Sequence, residues 1–422
     1  MRKRTTTGVL ALACVLGSGL PARAQTNSSV YVSIGDSLAA GFSSGSLVET
    51  HQRNSVPALI ARQAKIADFQ QPTVSEPGIP AELTLVSLSP SPVILPKATS
   101  TGLPTNLTLP RPYTTLAVPG ARAKDALEVV NGGGPLSDLI LRHLGSQVAL
   151  GLAQHPTFVT LWIGNNDVLS AALAGRVIEG VTLTPTSEFR QSYASIVAAL
   201  KTTGATIIAA NLPDVTAIPF VTTIPPVVVN PATRQPVIVG GQTIPLIGPQ
   251  GPLPGNAFVT LAAASLLAQG VGIPAALGGQ GTPLPDSVIL DAGEVAAIKD
   301  RVSADNQAIA DVCGAASVPV LDLHGILADL AVNGRDVGGI HLSADFLTGG
   351  LFSYDGVHPT DLGYAIVANE WIAAINAHGG SLAPVDLTPF LGIAQSQTRL
   401  RGTPELSREA VENLMAALRP LH

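Results

Sequence analysis

The chain has 422 residues, of which 46% are hydrophobic, 12% charged and 4% aromatic, with 42 Gly and 34 Pro. Glycine and proline at that level show no collagen repeat and fall short of low-complexity disorder, which leaves a loop-rich globular chain. The first 24 residues hold four of the 23 basic residues and no acid, so residues 25–422 carry 19 basic against 29 acidic side chains, about ten negative charges in surplus. That surplus argues against a nucleic-acid partner and against attachment to an anionic membrane through a basic patch.

The N-terminus reads as a removable export signal. Arg2, Lys3 and Arg4 precede an apolar run from Val9 to Leu20, and the small-x-small site Ala22-Arg23-Ala24 leaves Gln25 as the first mature residue. The run is too short to span a bilayer, and Ala11-Leu12-Ala13 is a poor lipidation context for Cys14. Loss of Cys14 with the signal leaves Cys313 alone, so the mature chain forms no internal disulfide. The expected location is outside the cytoplasm, periplasmic or extracellular, with no transmembrane span in the mature chain.

Short β-branched runs then alternate with helical spacing. Candidate strands are Val30–Ile34, Thr114–Val118, Phe158–Ile163, Thr206–Asn211 and Val318–Leu323. The helical stretches are Ala121–Val130, Leu136–Leu152, Glu188–Thr203, Gly293–Ala315 and Asp361–His378. This alternation predicts an α/β fold, a three-layer α/β/α sandwich on a mostly parallel sheet that binds ligands at the carboxyl ends of its strands. Residues 25–390 read as a single domain carrying two insertions near 71–112 and 213–291, both rich in proline, and residues 391–422 as a helical tail. The second insertion holds a nearly uncharged helical stretch, Asn256–Gln269, and is apolar enough to cap a site. The tail helix is expected to open at Thr403-Pro404-Glu405 and to dock through Leu406, Val411, Leu414, Met415 and Leu418.

Four motifs fall where such a sheet presents ligands. Gly35-Asp36-Ser37-Leu38 directly follows the first strand, so Ser37 opens a helix whose amides and dipole favour a developing anion. Gly120, in Val118-Pro119-Gly120-Ala121, lets the backbone come close to a bound group. Gly164-Asn165-Asn166-Asp167 follows the third strand and offers uncharged amide donors. In Asp355-Gly356-Val357-His358-Pro359 an Asp three residues before a His can accept from Nδ1 and leave Nε2 as a base. Taken singly, each motif also suits an ordinary turn. Together they supply a nucleophile, a base, an orienting acid and three oxyanion donors. The other histidines, His51, His143, His155, His324, His341, His378 and His422, have no metal-ligand spacing, and neither a metal nor a cofactor is expected.

In order and spacing these four motifs closely resemble the SGNH or GDSL-type esterase and lipase family, and Asn211-Leu212-Pro213-Asp214 fits it as well. The resemblance implies a flavodoxin-like sandwich that hydrolyses carboxylic esters through an acyl-enzyme. It makes Ser37 the nucleophile, His358 the base and Asp355 its partner, with the Ser37 and Gly120 amides and the Asn166 side chain as oxyanion hole. It also implies that activity falls in acid, because a protonated His358 cannot accept the serine proton.

A rival nucleophile is Ser43 in Gly41-Phe42-Ser43-Ser44-Gly45, which fits a G-x-S-x-G elbow. That elbow needs a strand ending just before it, whereas the strand ends at Ile34, so 41–46 reads as a flexible loop at the site rim. With two Trp and five Tyr there is little material for sugar stacking, which favours a small-molecule or lipid ester and transient contact with a lipid interface. Two alternatives remain on the sequence: an O-acetyl esterase acting on glycans, and a non-catalytic exported binding module on the same scaffold. Oligomeric state is not legible.

Overall fold

The run Tyr31–Gly35 forms β1, and all five of its residues are buried, as its β-branched content favours. In this computed structural model the described residues are 27–88, 91–231, 233, 235–394 and 404–421. The export signal, its cleavage site and Cys14 lie outside them. β1 turns into the four-residue helix α1 (Ser37–Ala40), followed by α2 (Val56–Gln63). The first insertion contributes an antiparallel pair, β2 (Leu83–Ser87) and β3 (Val93–Pro96). Next come α3 (Pro135–Leu141), α4 (Gln147–Ala153), β4 (Phe158–Trp162), α5 (Asn165–Ala174), α6 (Thr186–Lys201) and β5 (Thr206–Ala210). After the second insertion the chain runs through α7 (Ala292–Ala315), β6 (Val320–Leu321), α8 (Leu323–Asn333) and α9 (Asp361–Ala377). The tail holds β7 (Glu405–Leu406) and α10 (Arg408–Ala417).

The central sheet runs β1-β4-β5-β6, all parallel. On the free side of β1 the predicted strand Thr114–Val118 runs alongside it, with Ser33 paired to Thr115. Its bonds are Ser33 N–H to Thr114 O, Leu116 N–H to Ser33 O (both 2.9 Å) and Val118 N–H to Gly35 O (3.1 Å). In chain order the five segments are therefore arranged 2-1-3-4-5, the flavodoxin-like order whose topological switch lies at β1. Alternate residues feed two cores. Val32, Ile34, Val159 and Leu161 pack against α4, α6 and α7. Tyr31, Phe158, Trp162 and Ile208 pack against α2 and α9. This is the expected α/β/α sandwich.

Four predicted elements change form. Leu136–Leu152 splits in two because Arg142 and His143 take left-handed backbone (φ 52° and 57°). The Arg142 guanidinium is captured by carbonyls of the first insertion, those of Leu107 (3.1 Å), Leu109 (2.6 Å) and Arg111, and it lies over the Tyr113 ring. Ser146 then caps the second piece. Ala121–Val130 is helical only over Asp125–Glu128, because side chains of Asp125 and Asp167 accept the Arg122 and Ala123 amides and hold the segment open. Asn256–Gln269 forms a strand pair, Phe258–Val259 with Ile289–Leu290, ahead of the short helical pieces Leu261–Ala263 and Ala264–Ala268. The tail helix starts four residues later than its Pro suggests. Glu405–Leu406 instead pairs in parallel with β3, and Ser407 caps α10.

Candidate active site

The strand-to-helix turn after β1 is tight. A Cβ on Gly35 would lie 2.6 Å from Ala39 Cβ and 2.7 Å from Trp162 O, so only glycine lets the turn that carries Ser37 approach β4 this closely. Asp36 caps α1 by accepting from Leu38 N–H (3.1 Å), and its other oxygen accepts from Asn165 Nδ2 (2.8 Å). Burial pushes the Asp36 carboxyl up to about 6, against the lowering influence of Asn165, the Leu38 amide and the nearby His358 ring. Ser37 is thus the first residue of a capped helix, 2% exposed.

Gln147 ties this turn to the neighbouring segment by donating to the carbonyls of Gly35 (2.7 Å) and Leu116. That segment delivers Gly120 with φ +83°, a left-handed conformation that favours glycine. Across the sheet edge, the first turn of α5 grips the same loop. Asn166 Nδ2 donates to Ala121 O (3.0 Å), and Asp167 accepts from Ala123 N–H (2.9 Å). One Asn166 N–H remains unengaged. Among the described residues the Ser37 and Gly120 amides likewise donate no hydrogen bond. Burial raises Asp167 to about 7.

Asp355 and His358 are both fully buried. Asp355 Oδ1 accepts from the amides of Val357 and His358 (each 2.8 Å) and from Ser353 Oγ (3.2 Å). Its Oδ2 accepts from Gly45 N–H (2.7 Å) and faces His358 Nδ1 at 2.9 Å. Burial alone would raise this carboxyl, but the His358 ring and these donors outweigh it and hold it below the ordinary value. A carboxylate so surrounded accepts only, so Nδ1 carries the proton toward it and Nε2 is the ring nitrogen left over. His358 Nε2 is buried with no partner among the described residues. Phe42 packs on the imidazole with ring centroids 4.9 Å apart, and Tyr364 donates to Phe42 O (2.6 Å).

The sequence motifs therefore meet in part. The Gly120 and Asn166 segments are bonded to each other, the Ser37 turn is bonded through Asp36 to α5, and Asp355 is paired with His358. Ser37 Oγ makes no hydrogen bond to His358 Nε2, a bond often lengthened before substrate binds. The loop 41–46 departs from its expected place: it is buried, not a flexible rim. Ser44 N–H donates to Ser353 Oγ (2.8 Å), Gly45 N–H to Asp355, and Ser43 Oγ to Pro359 O (3.1 Å), so the rival Ser43 is committed as a structural donor. Sequence reasoning also passed over Asn165, Gly45 and Ser353, whose only local signal is a polar turn. Among the described residues no cluster of His, Cys, Asp and Glu fits a metal ion. An apolar cavity of about 90 Å³ flanks both the Ser37 and the His358 segments, touching Leu38, Trp162, Ile218, Val357 and Pro359.

No curated protein matches the sequence. Solved structures with similarity include a lipolytic protein of the G-D-S-L family from Desulfitobacterium hafniense DCB-2 (13% identity, 82% of this chain and 98% of that one, TM-score 0.34). Others are a lipase/acylhydrolase from Enterococcus faecalis (12%, 84% and 98%, 0.33) and phospholipase A1 from Streptomyces albidoflavus NA297 (14%, 82% and 98%, 0.32). These are distant likenesses, and the assignment rests on the sequence pattern of the GDSL-like Lipase/Acylhydrolase family, which matches residues 31–371. The chain belongs to that family and is a carboxylic ester hydrolase.

Proposed function

We propose that Ser37 is the nucleophile of this esterase, His358 its general base and Asp355 the acid that orients the base. Ser37 Oγ attacks the ester carbonyl carbon as its proton passes to His358 Nε2. The amides of Ser37 and Gly120 and the free N–H of Asn166 Nδ2 receive the oxyanion. Collapse of the tetrahedral intermediate expels the alcohol, which takes the proton from His358. Water activated by the same imidazole then releases the acid from the acyl-enzyme.

The observation that carries this reading is the saturated Asp355 carboxylate: with five donors around it, Asp355 fixes the His358 tautomer and leaves Nε2 buried and unpaired. A protein that only bound ligands would have no use for a base held in that state. The apolar cavity beside Leu38 and Val357 supports an apolar ester substrate, small-molecule or lipid. Residues 25–390 act as one catalytic domain with 71–112 and 213–291 inserted in it. The N-terminal 24 residues direct export, which a mature N-terminus at Gln25 in mass spectrometry would establish. No helix among the described residues is long and apolar enough to cross a membrane.

The test is hydrolysis of p-nitrophenyl esters from acetate to palmitate by the mature protein, Ser37→Ala and Ser43→Ala. Activity is expected to vanish in Ser37→Ala and to persist within about tenfold in Ser43→Ala, because Ser43 supports His358 only through the Pro359 carbonyl. The reverse pattern refutes the assignment.

A further inference from the structure

The tail ends on the candidate oxyanion loop. A Cβ placed on Gly120 would meet Arg419 O at 2.8 Å and Ala417 O at 3.3 Å, so the end of α10 lies directly against the backbone whose amide is read as an oxyanion donor. On one side of this segment is a cleft of about 510 Å³ between Pro119 and the Gly132–Leu136 turn, walled by Ala416, Ala417 and Arg419. On the other is a cleft of about 430 Å³ over Arg122, Ser170 and Leu173, walled by Met415, Leu418 and Arg419. The end of the tail thus separates these two clefts, which we read as one groove over the Gly120 loop and α5.

The face of the tail that fills the groove is apolar. Leu406, Ala410, Leu414 and Leu418 recur every four residues and are 0%, 0%, 0% and 2% exposed, whereas Arg408 and Glu412 pair on the solvent side. Backbone attachment is slight: Glu405 N–H donates to Pro92 O (2.7 Å) and Ser407 N–H to Ile94 O (3.1 Å), a two-residue strand on β3. What holds the tail is mainly leucine in an apolar groove, and an acyl chain would satisfy that groove with the same chemistry.

We propose that residues 407–421 are an intramolecular occupant of the substrate groove, standing where the elongated apolar part of an ester lies, and that hydrolysis of long-chain esters requires the tail to withdraw. The proposal rests on the assignment of Ser37 and Gly120 given above. It makes the resting enzyme self-inhibited and makes a long apolar acyl group, in a micelle or at a lipid surface, the ligand that competes with the tail.

The test compares the full mature chain, a chain ending at residue 394, and the full-length Leu414→Glu/Leu418→Glu variant, which keeps the tail but charges its inner face. Two readouts are taken, the rate at which a fluorophosphonate probe labels Ser37 and the ratio of p-nitrophenyl palmitate to acetate hydrolysis, with melting temperature as the fold control. Displacing a docked inhibitor should raise both by about tenfold or more, and a synthetic peptide of residues 404–421 added to the shortened chain should reverse the gain. Should the shortened chain not fold, the double variant decides. Unchanged labelling and an unchanged ratio in a folded variant overturn the proposal while leaving the hydrolase assignment intact. So does a fall in palmitate hydrolysis, which would make the tail a part of the pocket. Failure of the probe to label Ser37 in every folded protein overturns the nucleophile assignment and the proposal with it.

Discussion

His51 offers the sharpest test of how the first insertion is anchored. Its Nδ1 lies 2.8 Å from Asp361 Oδ1 and its Nε2 2.9 Å from Glu82 Oε1, with the three side chains 19%, 13% and 17% exposed. Both contacts are hydrogen bonds only if both ring nitrogens carry protons, so the group is an imidazolium between two carboxylates. Around it, Asn54 donates to Asp361 (2.9 Å) and Lys97 lies 3.4 Å from Glu82. Burial by itself lowers the His51 pKa, but the bonds and charges of Asp361 and Glu82 outweigh it and push it up to about 10 from 6.5. A folded-state value above the unfolded one means that the stabilisation is complete below about 6.5 and is lost as pH rises through about 10. At about 1.4 kcal/mol per pH unit the full span is worth about 5 kcal/mol at most, and partial solvent access brings it to about 2–4.

Urea unfolding of the wild type and His51→Gln from pH 6 to 10.5 measures this directly. The wild type is expected to be about 2–4 kcal/mol the more stable at pH 6, and the gap should close toward pH 10 as the imidazolium loses its proton. The variant corrects for every other group that titrates in the same range. Parallel stability curves for the two proteins would refute the doubly bonded imidazolium, and with it the argument that Glu82 locks the first insertion to the start of α9.

Three further outcomes follow from the site. Asn166→Ala removes a candidate oxyanion donor and should lower kcat about 10² to 10³-fold with little change in KM; an equal rise in KM with kcat intact would assign Asn166 to ground-state binding. Asn165→Ala removes the side-chain donor that lowers Asp36, so Asp36 should titrate above about 6 when its carboxyl is followed by carbon NMR; a titration at or below about 6 would mean that Asn165 does not stabilise the ionised carboxylate. Gly120→Ala must hold a methyl at φ +83° and 2.8 Å from Arg419 O, which should cost about 1–2 kcal/mol of stability and most of the activity; a variant as stable and active as wild type would mean that the loop has no need of glycine.

Legibility followed the range of the interactions. β1, β4 and β5 were readable because β-branched runs between turn residues fix a buried strand locally, three of the motifs because each follows a strand, and the fourth because Asp355 and His358 are spaced for a local pair ahead of α9. Leu136–Leu152 has helical spacing throughout, yet its break depends on carbonyls of Leu107, Leu109 and Arg111 about thirty residues upstream, and no local pattern carries that. Loop 41–46 reads as mobile because Gly and Ser dominate it. It is buried because its amides answer Ser353 and Asp355, more than 300 residues away. His51 gave no signal at all, since Glu82 and Asp361 are remote in sequence and only the fold makes them neighbours. The contact of Arg419 with Gly120 is of the same kind.

Two of these long-range contacts, those of loop 41–46 and of His51, have a common target in the Asp355–Asp361 turn. Four of the five donors to Asp355 come from its own turn, the amides of Val357 and His358, the His358 ring and the hydroxyl of Ser353, so the carboxylate is ionised and oriented largely by local sequence. The turn as a whole is not held locally. Phe220 at the start of the second insertion donates its amide to Gly356 O (2.8 Å), Ser43 holds Pro359 O, and the His51 imidazolium fixes Asp361 two residues further on. A fully buried imidazole needs this kind of support, because any slack in the turn would admit water to Nε2 and let the ring turn away from its place. Segments 71–112 and 213–291 therefore both brace the Asp355–Asp361 turn, the first through Glu82 and His51 and the second through Phe220. Their loss should spoil the alignment of His358 before it spoils the pairing of His358 with Asp355.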